Sequence, residues 1–203
     1  MKPLLAFFGA VIVISSVFLV FNSKPGAKEG PKLNEATSST QPPTANSSRK
    51  FDKFPGVLPL DQLRNRTALI KTNKGGISIE FFGSEAPKAV SNFIFLAKNG
   101  FYDGLTFHRR EEGFVIQGGD PAGNGSGGPG YQFEDEPVTR NYDRGIVAMA
   151  NAGSNTNGSQ FFIMLADNST LPKNYTIFGK VTSGMNVVDQ IKVGDKMEKI
   201  SIN

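Results

Sequence analysis

The sequence predicts an all-β dominated domain, a closed antiparallel barrel or a sandwich, set behind an apolar N-terminal segment and a flexible tether. Three observations predict it. From Thr67 onward, short apolar runs alternate with glycine-rich loops. Few stretches show helical periodicity. The composition changes abruptly after Phe21 and again after Lys50.

The first element is "LLAFFGAVIVISSVFLVF", 18 residues from Leu4 to Phe21 without a charge. At 1.5 Å per residue a helix of that length measures about 27 Å, close to the hydrocarbon thickness of a bilayer. No A-x-A cleavage pattern follows, which favours an uncleaved transmembrane anchor (residues 1–21) over a cleaved signal segment. Lys2 on one side and Lys24, Lys28 and Lys32 on the other leave its orientation undecided by charge. An anchor of this kind places the domain outside the cytoplasm of a bacterial cell; a cleaved, secreted form is the alternative. Residues 22–50 are rich in Ser, Thr, Pro, Asn and Lys, with Leu33 as the one large aliphatic, so they read as a disordered linker. Its root-mean-square span as a coil is roughly 30 Å. Residues 51–66, "FDKFPGVLPLDQLRNR", regain Phe, Val and Leu and read as an irregular entry segment.

The domain proper is expected over 67–203. "TALIKTNKGGISIEFF" reads as a hairpin turning at Asn73 to Gly76, with Ile77, Ile79 and Phe81 on one face. "APKAVSNFIFLAKNG" places Val90, Phe93, Ile94 and Ala97 at helical spacing, with Pro87 near the start and Gly100 past the end. Further strands are expected at 105–109, 113–117, 131–134, 146–150, 160–165, 176–181 and 198–202, with a short helix near 185–192.

Charge and composition narrow the function. Residues 1–50 carry six Lys/Arg and two Asp/Glu, which accounts for the whole +4, and the remainder balances at 16 against 16. A nucleic-acid surface is therefore not expected. With no cysteine, thiolate chemistry and disulfides are excluded. "GNGSGG", Gly123 to Gly128, matches a dinucleotide fingerprint on paper, but Pro129 and Gly130 forbid the helix that such a site needs. Glu134, Asp135 and Glu136 read as a solvated turn. His108 is the single histidine, so histidine-pair metal sites cannot form, and it reads as structural. The N-x-S/T triplets of this Asn-rich chain are expected by chance.

What remains is "FHR" at 107–109, "GFVIQGGD" at 113–120, "GSGG" at 125–128, "MANAGSNTNGSQFF" at 149–162 and "FGKVTSGMNVVDQI" at 178–191. In order and spacing these motifs resemble the cyclophilin-type peptidyl-prolyl cis-trans isomerases, over about residues 67–202. The resemblance implies a closed eight-stranded antiparallel β-barrel capped by two α-helices. It implies an isomerase that turns X-Pro bonds and assists folding of exported or membrane proteins, acting on proline-containing segments of flexible proteins. It also implies that no cofactor and no metal are used, and a monomeric domain is expected. The alternative reading is a membrane-tethered module that binds proline peptides without essential catalysis.

The resemblance assigns catalysis to Arg109, Phe114 and Gln117. Arg109 would donate toward the prolyl nitrogen as the bond twists. Phe114, Phe162 and Leu171 would hold the proline ring, with Val115 at the pocket's edge. Gln117 and Gln160 would bond substrate backbone or hold Arg109, and Gly125, Ala150, Asn151 and Ala152 would form the wall along which a peptide lies. The small residues of "ANAGSNTNG" then make room for another backbone. In "QFF", Gln160 and Phe162 would face the groove and Phe161 away. The family often carries methionine, tryptophan and histidine where Val115, Thr170 and Tyr175 stand. Without that tryptophan tight binding of cyclosporin is not expected, while Tyr175 still lines the pocket.

Overall fold

The computed structural model describes residues 50–203. The apolar run Leu4–Phe21 and the tether up to residue 49 lie outside the described residues. Among the described residues no helix is long and apolar enough to cross a membrane.

The entry segment contains one short helix, α1 (Leu60–Leu63), whose Leu63 is fully buried. The expected hairpin follows as β1 (Thr67–Thr72) and β2 (Gly75–Phe81), closed by Asn73 and Lys74. Thr72 secures that turn: its hydroxyl donates to the Gly75 carbonyl at 2.8 Å and accepts from the Lys74 N–H at 3.0 Å. Next comes α2 (Pro87–Lys98), with proline in its first turn and Gly100 at φ +63° beyond its end, the start and stop chemistry expected of that sequence.

The other strands are β3 (Phe107–Glu111), β4 (Val115–Gly118), β5 (Ile146–Met149), β6 (Phe161–Met164), β7 (Ile177–Ser183) and β8 (Met197–Ile202), with α3 (Met185–Gln190) before the last. They form one eight-stranded antiparallel sheet in the order β3-β4-β6-β5-β7-β2-β1-β8. The sheet curls on itself: Thr106 bridges Lys196 between its two ends, and Leu105 and Phe107 exchange backbone hydrogen bonds with Met197, Asp195 and Gly194.

The core sits inside the curl. Phe93 of α2 is its hub, 5.0 Å from the Tyr102 ring, 5.4 Å from Phe161 and Phe178, and 5.6 Å from Phe81. These centroid distances lie in the favourable range for aromatic pairs. A second apolar cluster covers the opposite face of β4, β6, β5 and β7. Both faces of β5 and β6 are therefore buried, which is why those strands read as unbroken hydrophobe.

Two expectations need correction. Residues 131–134 form no strand; only Phe133 makes a bridge, to Asn157, because Pro129 and Pro137 deny the flanks a continuous ladder. The acidic trio is not a solvated turn. Glu136 is 8% exposed and accepts the N–H groups of Lys88 and Ala89 at the start of α2, at 2.7 and 2.9 Å. Burial pushes its carboxyl above the ordinary value, and those two N–H groups pull it back. Asp135 holds Asn155 and Asn157, and Glu134 pairs with Lys88.

Candidate active site

The expected site residues gather on the outer face of the sheet, and a β-bulge puts Arg109 there. Phe107 pairs with Gly118 and Arg109 with Gln117, so His108 is the extra residue between them. Without the bulge Arg109 would share a face with Phe107, which is fully buried in the inner core. With it, Arg109 turns outward beside Gln117.

A polar relay runs from there. Arg109 Nη1 donates to Gln117 Oε1 at 3.0 Å, Gln117 Nε2 donates to Gln160 Oε1 at 2.9 Å, and Gln160 Nε2 donates to the carbonyls of Gly125 and Gly127, both at 2.9 Å. Each amide thus has its orientation set by its neighbour. The other end of the guanidinium pairs with Glu111 at 2.9 Å, while 44% of the Arg109 side chain stays exposed. Its centre lies 5.9 Å from the ring of Phe114.

The apolar residues lie alongside. Phe114 sits in the turn between β3 and β4, not on the strand expected at 113–117, because Gly113 at φ +69° bends the chain there. Phe114, Leu171, Tyr175 and Ala150 are partly exposed and pack over Phe162 and Val115. Val115 is 1% exposed, so it is the floor of this cluster and not its edge. Phe162 faces the cluster at 5.6 Å from the Tyr175 ring, while its neighbour Phe161 faces the inner core, as the strand alternation predicts.

The third group is the wall. Asn151 Nδ2 donates to the Asn174 carbonyl at 2.8 Å, and the Ala152 N–H to the Thr156 hydroxyl at 2.8 Å. Together with Gln117, Gln160 and Gly125, the stretch Ala150 to Ala152 lines a hollow of about 880 Å³. Arg109, Phe114, Phe162 and Leu171 do not line it; they form the surface beside it. Tyr175 shares a smaller hollow of about 400 Å³ with Asn151 and Ala152, so that wall is a ridge between two depressions.

Sequence reasoning missed three supports. Asp120, 1% exposed, accepts the N–H groups of Ala122 at 2.8 Å, Asn124 at 2.9 Å and Gly125, and so shapes the loop that Gln160 clasps. An aspartate ahead of a Gly/Asn-rich loop was the available signal. Tyr142 holds Tyr175 at both backbone groups, donating to its carbonyl at 2.9 Å and accepting its N–H at 3.1 Å. Nothing in a single sequence pairs those two tyrosines. Glu111, two residues from Arg109 on the same strand, was legible by alternation. Among the described residues the His108 Nδ1 has no hydrogen-bond partner, so no hydrogen-bonded carboxylate orients it for a relay.

Fold and site together define a cyclophilin-like protein. Two crystal structures of a cyclophilin-type peptidyl-prolyl cis-trans isomerase of Cryptosporidium parvum superpose on 68% of this chain with TM-scores of 0.65 and 0.64, at 37% and 39% identity. The matched regions cover 97% and 98% of those chains, and the second was determined in the presence of the dipeptide Ala-Pro. A peptidyl-prolyl cis-trans isomerase of Helicobacter pylori is 52% identical over 138 residues, 66% of this chain and 84% of that protein. A probable peptidyl-prolyl cis-trans isomerase A of Mycobacterium leprae is 45% identical over 148 residues, 64% of this chain and 81% of that one. The family model for cyclophilin-type peptidyl-prolyl cis-trans isomerases matches residues 67–203. The chain belongs to this family.

Proposed function

We propose that this protein is a peptidyl-prolyl cis-trans isomerase whose turnover depends on Arg109. The observation that carries the reading is the relay that holds Arg109 beside Phe114 and Gln117 on the outer face. Family membership supports the activity, and so does the solved relative studied with Ala-Pro.

The chemistry follows from the amide. Rotation about an X-Pro bond must give up resonance, at a barrier of about 18–20 kcal/mol. The twist frees the lone pair of the prolyl nitrogen, so a donor aimed at that nitrogen stabilises the twisted state more than either planar one. Gln117 and Glu111 each occupy one terminal nitrogen of the Arg109 guanidinium, leaving further N–H groups for the substrate. The guanidinium is held as a rigid planar fork, which lysine does not reproduce. Phe114, Leu171 and Tyr175, with Phe162 beneath, grip the proline ring, and Val115 supports them from below. Gly125 and the ridge from Ala150 to Ala152 take the flanking backbone.

The same reading takes Leu4–Phe21 as an uncleaved membrane anchor and residues 22–50 as a tether. It places a monomeric domain outside the cytoplasm, serving exported or membrane proteins. It also takes the curled sheet as a closed barrel, on the strength of the Thr106–Lys196 bridge. Composition supports the anchor: 18 residues without a charge precede a segment poor in large apolar residues.

Exchange spectroscopy on an Ala-Pro peptide tests the activity: accelerated cis-trans exchange is expected, and binding without acceleration favours a bare binding module. Mass spectrometry of the mature N-terminus, with protease accessibility of the domain in intact cells, tests the anchor. A protected domain would contradict the placement.

A further inference from the structure

The hollow of about 880 Å³ beside the relay has one wall that the barrel does not supply. Gln117 and Gln160 line it, and so does Lys50, the residue just ahead of the N-terminal entry segment. Lys50 carries the only formal charge among the lining residues. It makes no ion pair with any described residue, whereas Arg109 is already paired with Glu111.

The entry segment is not draped loosely at this point. The Phe51 N–H donates to the Pro129 carbonyl at 2.8 Å, and Pro129 itself lines the hollow. The Phe51 ring meets Phe95 edge-on at 4.9 Å, and Phe54 stacks on Phe133 at 5.1 Å. Gly130 makes the contact possible: at φ +100°, a Cβ there would stand 2.6 Å from the Phe51 carbonyl oxygen. The backbone next to Lys50 is therefore fixed, which keeps this lysine at the hollow.

We infer that Lys50 makes this hollow a selector for an acidic side chain beside the substrate proline, so that the end of the tether, pinned by the entry segment, is a specificity element of the site. The inference rests on the proposed isomerase reading for its substrate. An ammonium at the hollow with no ion-pair partner among the described residues attracts a carboxylate and repels an ammonium. Solvent exposure limits the effect to the range of surface pairs, about 1.5- to 5-fold per charge contact.

The test uses the full chain, wild type and Lys50→Glu, with proline peptides carrying Glu, Lys or Ala at each of the flanking positions. Turnover is read by exchange spectroscopy and affinity by NMR titration, each normalised to the Ala peptide. At one flanking position the wild type is expected to favour Glu over Lys, and Lys50→Glu to favour Lys over Glu. Equal Glu-to-Lys ratios in the two proteins would overturn the inference even if every peptide is turned over. If affinity shows the preference and its inversion but no peptide is turned over, the role of Lys50 stands and the isomerase reading falls.

Discussion

Arg109 and Gln117 stand opposite each other across the β3–β4 ladder, and Nη1 of the arginine donates to Oε1 of the glutamine at 3.0 Å. That amide cannot flip to suit a substrate, because its nitrogen is committed to Gln160 at 2.9 Å. The guanidinium is thereby placed before any peptide arrives.

Gln117 is accordingly expected to act mainly by positioning Arg109. Gln117→Ala removes a hydrogen bond to a charged group, worth about 1.5–3 kcal/mol. If most of that is realised in the twisted state, kcat falls by roughly 10- to 100-fold while KM moves little. A rise in KM with kcat unchanged would assign Gln117 to ground-state binding instead.

Asp120 holds the loop that the relay ends on. Asp120→Asn keeps the shape but replaces one acceptor oxygen with a donor facing the N–H groups of Asn124 and Gly125. The expected loss is about 1–3 kcal/mol of folding stability, seen as a lower denaturation midpoint. Weaker peptide binding should accompany it, since Gln160 clasps the carbonyls of Gly125 and Gly127.

His108 links the fold to pH. Burial lowers its pKa from the ordinary 6.5, with Asp120 pulling it up and Arg109 pushing it down. The unfolded chain therefore takes up a proton at this residue before the folded one does. Its contribution to stability is full above pH 6.5 and is lost as pH falls through the folded value. Denaturation midpoints measured from pH 7.5 down to about 5 should decline, and His108→Gln should flatten that part of the decline while leaving turnover within about twofold. Abolished turnover would instead restore histidine to the chemistry.

The hairpin, α2 and most strands were legible because their periodicity answers directly to which face is buried. Phe161 and Phe162 could be assigned to opposite faces from alternation alone. The bulge at His108 was not legible: plain alternation would set Arg109 inward with Phe107, and only the family motif placed it at the site. The false strand at 131–134 has a related cause, since Tyr131 and Phe133 are apolar in order to pack against Phe54, not to alternate in a ladder. Tyr142 acts on the backbone groups of Tyr175, brought close only by folding, a relation no local spacing reveals, whereas Asp120 acts within its own loop and was open to a local reading.

The most direct measurement is turnover of a proline peptide by Arg109→Ala beside its thermal unfolding. Removing an electrostatic donor of this kind is expected to lower kcat/KM by about 100-fold or more. The exposed ion pair with Glu111 contributes at most about 1 kcal/mol and the hydrogen bond to Gln117 about 1.5–3 kcal/mol, so the midpoint should fall by no more than roughly 5–16 °C and the protein stay folded at about 25 °C. Wild-type turnover preserved within about twofold in a folded Arg109→Ala protein would contradict the account.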